Sequence, residues 1–269
     1  MVKVKSLKGG SQGKGESSPD FIKFLGTAGA RFVMIKQLRA SAGLWISCQG
    51  TNVIIDPGPG SIVHCAKSRP KLDPSKLDAV ILTHRHLDHC GDVNVMIEAM
   101  TEGGFKKRGL VFCPQDALEG DPVIFKYLRN FPKEIIVLKK NKKYRVGNFN
   151  FETSMPHIHP VETYGFKFTM HGQSVGFLID SLYFNKLADF YKVDILIMGV
   201  VFPEPRPGID HLSLREAKDL IREIKPKKTI ITHFGMHMLF AKPHIISQEL
   251  TKELGREIIA AYDGMALYL

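Results

Sequence analysis

Apolar positions along the chain fall in short runs separated by turn residues. Phe21-Ile22-Lys23-Phe24-Leu25-Gly26 reads as a strand ending in a glycine turn. Residues 44–48 and 52–55 read as two further strands, the second stopped by Asp56-Pro57-Gly58-Pro59-Gly60, through which neither helix nor strand continues. Ala79-Val80-Ile81-Leu82 is a β-branched apolar run of the kind found in buried strands. Similar runs predict strands at 110–112, 134–138, 149–153, 165–170, 174–179, 195–199 and 229–232. Helical spacing places Val93, Met96, Ile97 and Met100 on one side of a helix over 93–100. A second helix fits 213–224, with Ser213 as N-cap and Glu216 at the capping-box spacing. A third fits 246–254, before Gly255. The hairpin-like strand spacing predicts antiparallel or mixed sheets rather than strict βαβ alternation. Residues 1–19, rich in Gly, Ser and Lys, read as a flexible or loosely held segment. No linker-like stretch interrupts the rest, so 20–269 reads as a single domain without a short internal repeat.

Composition adds exclusions. The 269 residues are 44% apolar and 24% charged, ordinary for a globular chain, and suffice for a sizeable core without staples. No segment approaches the length of apolar residues that spans a membrane. The start, MVKVKSLKGG, lacks the apolar run of a secretory signal. Cys48, Cys65, Cys90 and Cys113 are scattered singly, which argues against a thiolate zinc site and for a reducing, cytoplasmic setting. The net charge of +10 is concentrated over 105–145, where eleven Lys and Arg face four Asp and Glu. Such a surface concentrates anionic substrates, phosphates and nucleic acid included, although a plain solvated face has the same look.

The chemistry begins directly after the buried strand at 79–82. His84, His86, Asp88 and His89 are four potential ligands within six residues. Neutral imidazoles with a carboxylate suit Zn²⁺, and also Mn²⁺ or Fe²⁺. His84 and His86 are two apart, so in extended chain they point the same way, while Asp88 and His89 point elsewhere. One segment can therefore serve two ions.

Thr83-His84-Arg85-His86-Leu87-Asp88-His89 resembles the HxHxDH signature of the metallo-β-lactamase superfamily of hydrolases. The family's opening elements are similar to Phe24-Leu25-Gly26-Thr27 and Asp56-Pro57-Gly58. Its next ligand, a histidine followed by glycine and a strand, is similar to His159 in His159-Pro160-Val161-Glu162-Thr163-Tyr164-Gly165. Its bridging aspartate resembles Asp180 after Gly176-Phe177-Leu178-Ile179, and its last histidine resembles His233 in Ile231-Thr232-His233-Phe234-Gly235.

The resemblance, over about residues 21–235, implies an α/β (α+β) fold: a four-layer αββα sandwich of two mixed β-sheets flanked by helices. It implies two divalent ions, expected to be Zn²⁺ with Mn²⁺ or Fe²⁺ as alternatives. His84, His86 and His159 would hold one, and Asp88, His89 and His233 the other, with Asp180 bridging them. Such ions lower the pKa of a shared water toward neutrality. His157 competes with His159, and Asp194 or Asp210 with Asp180, but the family's strand and glycine context favours His159 and Asp180. His237 and His244 read as surface or core histidines. Asp56 is either a turn residue or the group that orients a ligand histidine. His211, in Asp210-His211-Leu212-Ser213, is similar to a histidine that protonates the leaving alkoxide in phosphodiesterase members. Asp88 and His211 are thus the catalytic residues implied.

Three features point within the family. Position 86 is His rather than the Glu usual in di-iron relatives. The FLGT, HPVETYG and HLS segments look most like the phosphodiesterase and RNase Z side. His159 and Asp180 are only 21 positions apart, too close for the long tRNA-gripping arm commonly placed there. The expected activity is therefore hydrolysis of a small or cyclic phosphodiester or nucleotide. The alternatives are a glyoxalase II-like thioesterase or lactonase, and an RNase Z-like endoribonuclease. The partners implied are a small anionic phosphoester, nucleic acid through 105–145, and a second copy in a homodimer, with no membrane. A nucleic-acid binding protein with a structural metal is disfavoured, because structural sites close their coordination with protein ligands.

Overall fold

The computed structural model describes residues 19–41 and 43–269. The expectation for 1–19 falls, Pro19 apart, outside the described residues.

The first half of the chain builds one sheet. β1 (Phe21–Phe24), β2 (Leu44–Cys48) and β3 (Thr51–Ile55) pair antiparallel. α1 (Ala30–Ile35) lies between β1 and β2, and α2 (Ser61–Lys67) follows β3. β4 (Ala79–Ile81) then adds parallel to β3. α3 (Leu87–Cys90) and α4 (Val93–Met100) lead to β5 (Leu110–Cys113) and β6 (Glu134–Val137), both parallel. The second half repeats this plan. β7 (Lys143–Val146), β8 (Phe149–Pro156), β9 (Tyr164–Met170) and β10 (Gln173–Leu178) pair antiparallel. With α5 (Leu187–Phe190), α6 (Leu214–Ile224), α7 (Met236–Phe240) and α8 (Pro243–Leu254) between them, β11 (Ile195–Gly199), β12 (Lys228–Thr232) and β13 (Glu257–Ala260) continue in parallel. β14 (Ala266–Tyr268) crosses back to pair antiparallel with β1. The two seven-stranded sheets run β14-β1-β2-β3-β4-β5-β6 and β13-β12-β11-β10-β9-β8-β7.

Three apolar clusters make this a four-layer αββα sandwich. The central cluster joins the inner faces of the sheets through Ile22, Phe24, Phe112, Phe149, Phe166 and their neighbours. A second lies between the first sheet and its helices, with Trp45, Met96, Ile97 and Met100. A third lies between the second sheet and its helices, with Leu196, Leu220, Ile221 and Leu250. Each such side chain, fully buried, contributes roughly 1.5–3 kcal/mol of transfer free energy.

Sequence periodicity located most strands to within one to three residues. β7 escaped it because Lys143-Tyr144-Arg145-Val146 looks like part of a basic loop, although its residues alternate exposed and buried. β13, β14, α1 and α2, all short elements, also escaped it. α8 begins three residues before the expected start, at Pro243, whose ring suits a first helical turn. α6 has the expected cap: the Ser213 hydroxyl accepts from the Glu216 N–H, and Glu216 Oε2 accepts from the Ser213 N–H at 2.8 Å.

All four cysteines are buried free thiols, and burial pushes Cys65, Cys90 and Cys113 up to about 12, so they stay protonated. Among the described residues no helix is long and apolar enough to cross a membrane. Three cations of the basic stretch have partners within the chain. Arg108 donates to the carbonyls of Ser75 and Met100, Arg129 to those of Leu118 and Ile124, and Lys106 pairs with Glu102.

Candidate metal centre

β4 lies between two parallel neighbours and delivers its last residues to the rim of the sandwich. The chain stays extended through His86 and then turns into α3. This change of direction separates the ligands as the spacing predicts. His84 and His86 join His159, from the loop after β8, and Asp180, which follows β10. Asp88 and His89 join His233, which follows β12. Within each group the ligand atoms lie within 4.8 Å of one another.

Asp180 reaches both groups. Its Oδ2 lies 3.5 Å from His84 Nε2, 3.3 Å from His89 Nε2 and 3.8 Å from His159 Nε2. Its Oδ1 lies 3.3 Å from His233 Nδ1 and 3.4 Å from His211 Nδ1. Asp88 Oδ2 faces His89 Nε2 at 3.4 Å and His233 Nε2 at 3.3 Å.

A hydrogen-bond chain fixes the tautomers. Asp56, at the end of β3, accepts from the Thr83 N–H at 2.7 Å, the Thr83 hydroxyl at 2.6 Å and His89 Nδ1–H at 3.0 Å. Having donated its proton to Asp56, the Thr83 hydroxyl accepts from His84 Nδ1–H at 2.9 Å. His159 Nδ1–H donates to the Asp210 carbonyl at 3.0 Å. In their neutral forms all three rings are thereby left with an unprotonated Nε2 aimed into the cluster. The turn that places Asp56 and the carboxylate that orients His89 belong to one residue.

The donor set fits divalent cations. His84 Nε2, Asp180 Oδ1 and His233 Nδ1 are buried without any hydrogen-bond partner. His89 Nε2 faces His233 Nε2 at 2.9 Å, and His86 Nδ1 faces His159 Nε2 at 3.0 Å. Lone pairs held this close repel unless a cation lies near both, and buried orphan acceptors of this kind are rare. Burial, and then the neighbouring His159, pushes His86 down to about 4, which keeps its ring neutral and able to ligate. Burial would by itself raise Asp180, but the surrounding His233, His211 and His89 hold it well below the usual carboxylate range. Asp56, Asp180 and His233 have left-handed backbones, with φ of 52°, 32° and 57°. Strain of this sort gathers at functional sites.

His211 sits beside the cluster from the loop before α6. Its side chain is 14% exposed, and its ring centroid lies 5.2 Å from that of His159 and 6.0 Å from that of His233. Burial alone would lower its pKa, yet Asp180 raises it above the ordinary histidine value.

The remaining candidates are placed elsewhere. His157 uses both nitrogens, donating from Nδ1 to the Ile179 carbonyl at 2.8 Å and accepting at Nε2 from the Tyr191 hydroxyl at 2.8 Å. Asp194 is held by Ser174 and Lys227. Asp210 enters only through its carbonyl, and His237 and His244 are exposed. Sequence reasoning missed Thr83, since nothing about a threonine before a histidine announces a proton relay. It also missed Gly29, against which His233 packs. A Cβ there would lie 2.5 Å from His233 Nδ1 and 2.2 Å from its carbonyl oxygen. Gly29→Ala is expected to displace His233 and weaken metal binding about 10–100-fold, the range for groups that support a ligand. Competition with a chelating dye measures this, and unchanged affinity would show that the contact is soft.

This fold and this arrangement of histidines and aspartates define a class, and the chain belongs to the metallo-β-lactamase superfamily of metal-dependent hydrolases. A family model described as the Beta-lactamase superfamily domain matches residues 51–234. A protein of Methanocaldococcus jannaschii described as uncharacterized is 30% identical over 258 residues, covering 92% of this chain and 94% of that protein. The crystal structure of the metallo-beta-lactamase fold protein YhfI from Bacillus subtilis is similar with a TM-score of 0.73 at 20% identity, covering 93% of this chain and 99% of that one. That of a diphosphatase from the PhnP family is similar with a TM-score of 0.68 at 21% identity, covering 93% and 98%.

Proposed function

We propose that this chain is a phosphodiesterase with a dinuclear centre, acting on a small or cyclic phosphodiester or nucleotide. His84, His86 and His159 would hold one ion, Asp88, His89 and His233 the other, and Asp180 both. A nitrogen-rich donor set of this kind favours Zn²⁺. Bound there, two such ions would acidify a water and polarise the ester under attack.

The observation that carries the phosphodiester reading is His211. It lies outside the two sets assigned above to the ions, although with Asp180 and His233 its ring also forms a cluster whose ligand atoms lie within 4.8 Å of one another, and its Nδ1 is 3.4 Å from Asp180 Oδ1. The Asp180 carboxylate raises its pKa against the effect of burial, which would suit it to hold a proton at the edge of the cluster. An alkoxide leaving from phosphorus needs such a proton. Thioester cleavage does not, since a thiolate leaves unaided. The similarity to a PhnP-family diphosphatase supports the same direction.

His211→Ala is expected to slow hydrolysis of an alkyl phosphodiester by about 10²–10⁴-fold, the usual worth of a general acid. Hydrolysis of bis-p-nitrophenyl phosphate, whose leaving group departs unprotonated, should change little. Equal losses on the two substrates would remove His211 from this role, and activity confined to a thioester or a lactone would overturn the phosphodiesterase reading.

A further inference from the structure

A second constellation of cationic groups lies outside the metal centre. Lys23 occupies the middle of β1, opposite Trp45 on β2 and Ala266 on β14. Its neighbours Phe21 and Leu25 face the outer, helix-covered side of the first sheet, and Lys23 alternates with the inward-facing Ile22 and Phe24. Only 5% of Lys23 is exposed, and its ammonium makes a single hydrogen bond, to the Arg69 carbonyl at 2.8 Å. An ammonium has three N–H donors, so two remain.

These donors border a cavity of about 310 Å³ lined by Lys23, His64, Lys67, Ser68, Arg69 and Asp263, among others. Asp263 does not serve as the counter-ion. Its Oδ1 accepts from the Thr27 N–H at 2.9 Å and hydroxyl at 2.6 Å, and its Oδ2 accepts from the Ala40 N–H at 2.7 Å. Ser68 is buried, and its Oγ has no hydrogen-bond partner. Lys67 and Arg69 are exposed, and His64 is half-buried. Burying a cation without a partner is costly, and buried charges are normally paired. Burial does depress the Lys23 pKa, and no carboxylate offsets it.

We propose that this cavity binds a phosphate-class anion, with Lys23 Nζ and Ser68 Oγ as its buried donors and Lys67 and Arg69 closing its mouth. Several cations around one committed carboxylate suit a dianion better than a monoanion. A water's share of liquid volume is about 30 Å³, so the cavity has room for the phosphate and part of a group esterified to it. None of the metal-centre side chains lines it, so the proposal stands independently of the reaction proposed above.

The test follows backbone amide shifts of Lys23, Ser68 and Gly264 in the full-length, metal-loaded chain during separate titrations with inorganic phosphate, methyl phosphate and acetate. Saturable shifts with the phosphates are expected. Their affinity should fall at least tenfold in Lys23→Met and in the exposed double variant Lys67→Ala/Arg69→Ala. Shifts at the Asp88 and His233 amides, which report anions at the metal centre, should be the same in all three proteins. Tighter binding of methyl phosphate would assign the cavity to a phosphate monoester, and tighter binding of inorganic phosphate to the free ion. The proposal is overturned if millimolar phosphate leaves the three amides unsaturated, if neither variant weakens binding, or if acetate binds as tightly as phosphate.

Discussion

Asp180→Asn is expected to lower kcat by well over 10²-fold and to leave the chain unable to hold its full complement of metal. Groups that merely support a ligand are worth about 10–100-fold. Asp180 does more, because its two oxygens lie within 3.3 to 3.8 Å of His84, His89, His159 and His233. Asparagine keeps the shape and, in its tolerance of left-handed φ, the backbone, but it removes the negative charge and one acceptor oxygen. Metal that binds only the folded state stabilises it by roughly 4 kcal/mol at a concentration a thousandfold above Kd. The difference in Tm between metal-loaded and chelator-treated protein should therefore shrink in the variant, while the Tm of the chelated forms stays similar. Elemental analysis gives the occupancy directly. A variant that keeps its metal and more than a tenth of its activity would show that Asp180 does not bridge the two groups.

Asp56 carries the second large effect, although it acts on the cluster through His89 and Thr83. Asp56→Asn places an amide against three donors: the Thr83 N–H, the Thr83 hydroxyl and His89 Nδ1–H. Its oxygen can keep one side of this set, but its NH₂ then confronts a donor on the other. Relief comes if His89 moves its proton to Nε2, which removes the lone pair that faces the cluster. Metal affinity should fall about 10–100-fold with little loss of fold. Asp56→Ala should be worse in both respects. It leaves buried donors unsatisfied, at about 1–3 kcal/mol for each, and forces alanine into a left-handed backbone that costs roughly 1–2 kcal/mol more. Chelator competition and thermal melts separate the two losses. If Asp56→Asn binds metal as tightly as the parent, the relay through Thr83 and His89 is not what orients the rings.

Where the residues write their own geometry, the sequence was readable. Apolar runs with Gly, Pro or Asp at their ends located the central strands, because a buried strand must be apolar on both faces and must stop where the backbone cannot continue. The ligands in 84–89 were legible because close sequence spacing fixes direction within one segment. The meeting of His159, Asp180 and His233 with that segment came only through the resemblance, since no local pattern encodes contacts between residues 144 positions apart, as His89 and His233 are. The choice of His159 over His157 shows the same limit. Both are histidines near a strand end, and only the Tyr191 hydroxyl, from the end of α5, and the Ile179 carbonyl, just after β10, occupy His157. β14 was missed because its neighbour β1, not its own three side chains, decides that it is a strand.

The repeated plan of the two sheets bears on how the molecule comes apart. Each half begins with antiparallel strands and changes to parallel pairing at one strand, β3 in the first and β10 in the second. Asp56 ends the first of these and Asp180 the second, both with a left-handed backbone. The two halves thus share a plan of strand pairing, and the histidine cluster lies on the seam between them. His84, His86, Asp88 and His89 come from one side of the seam, and His159, Asp180 and His233 from the other. A cation seated there would tie the two halves of the sandwich together. Amide exchange at the seam-facing ends of β4, β10 and β12 should then respond to chelation before the helices on the outer faces do.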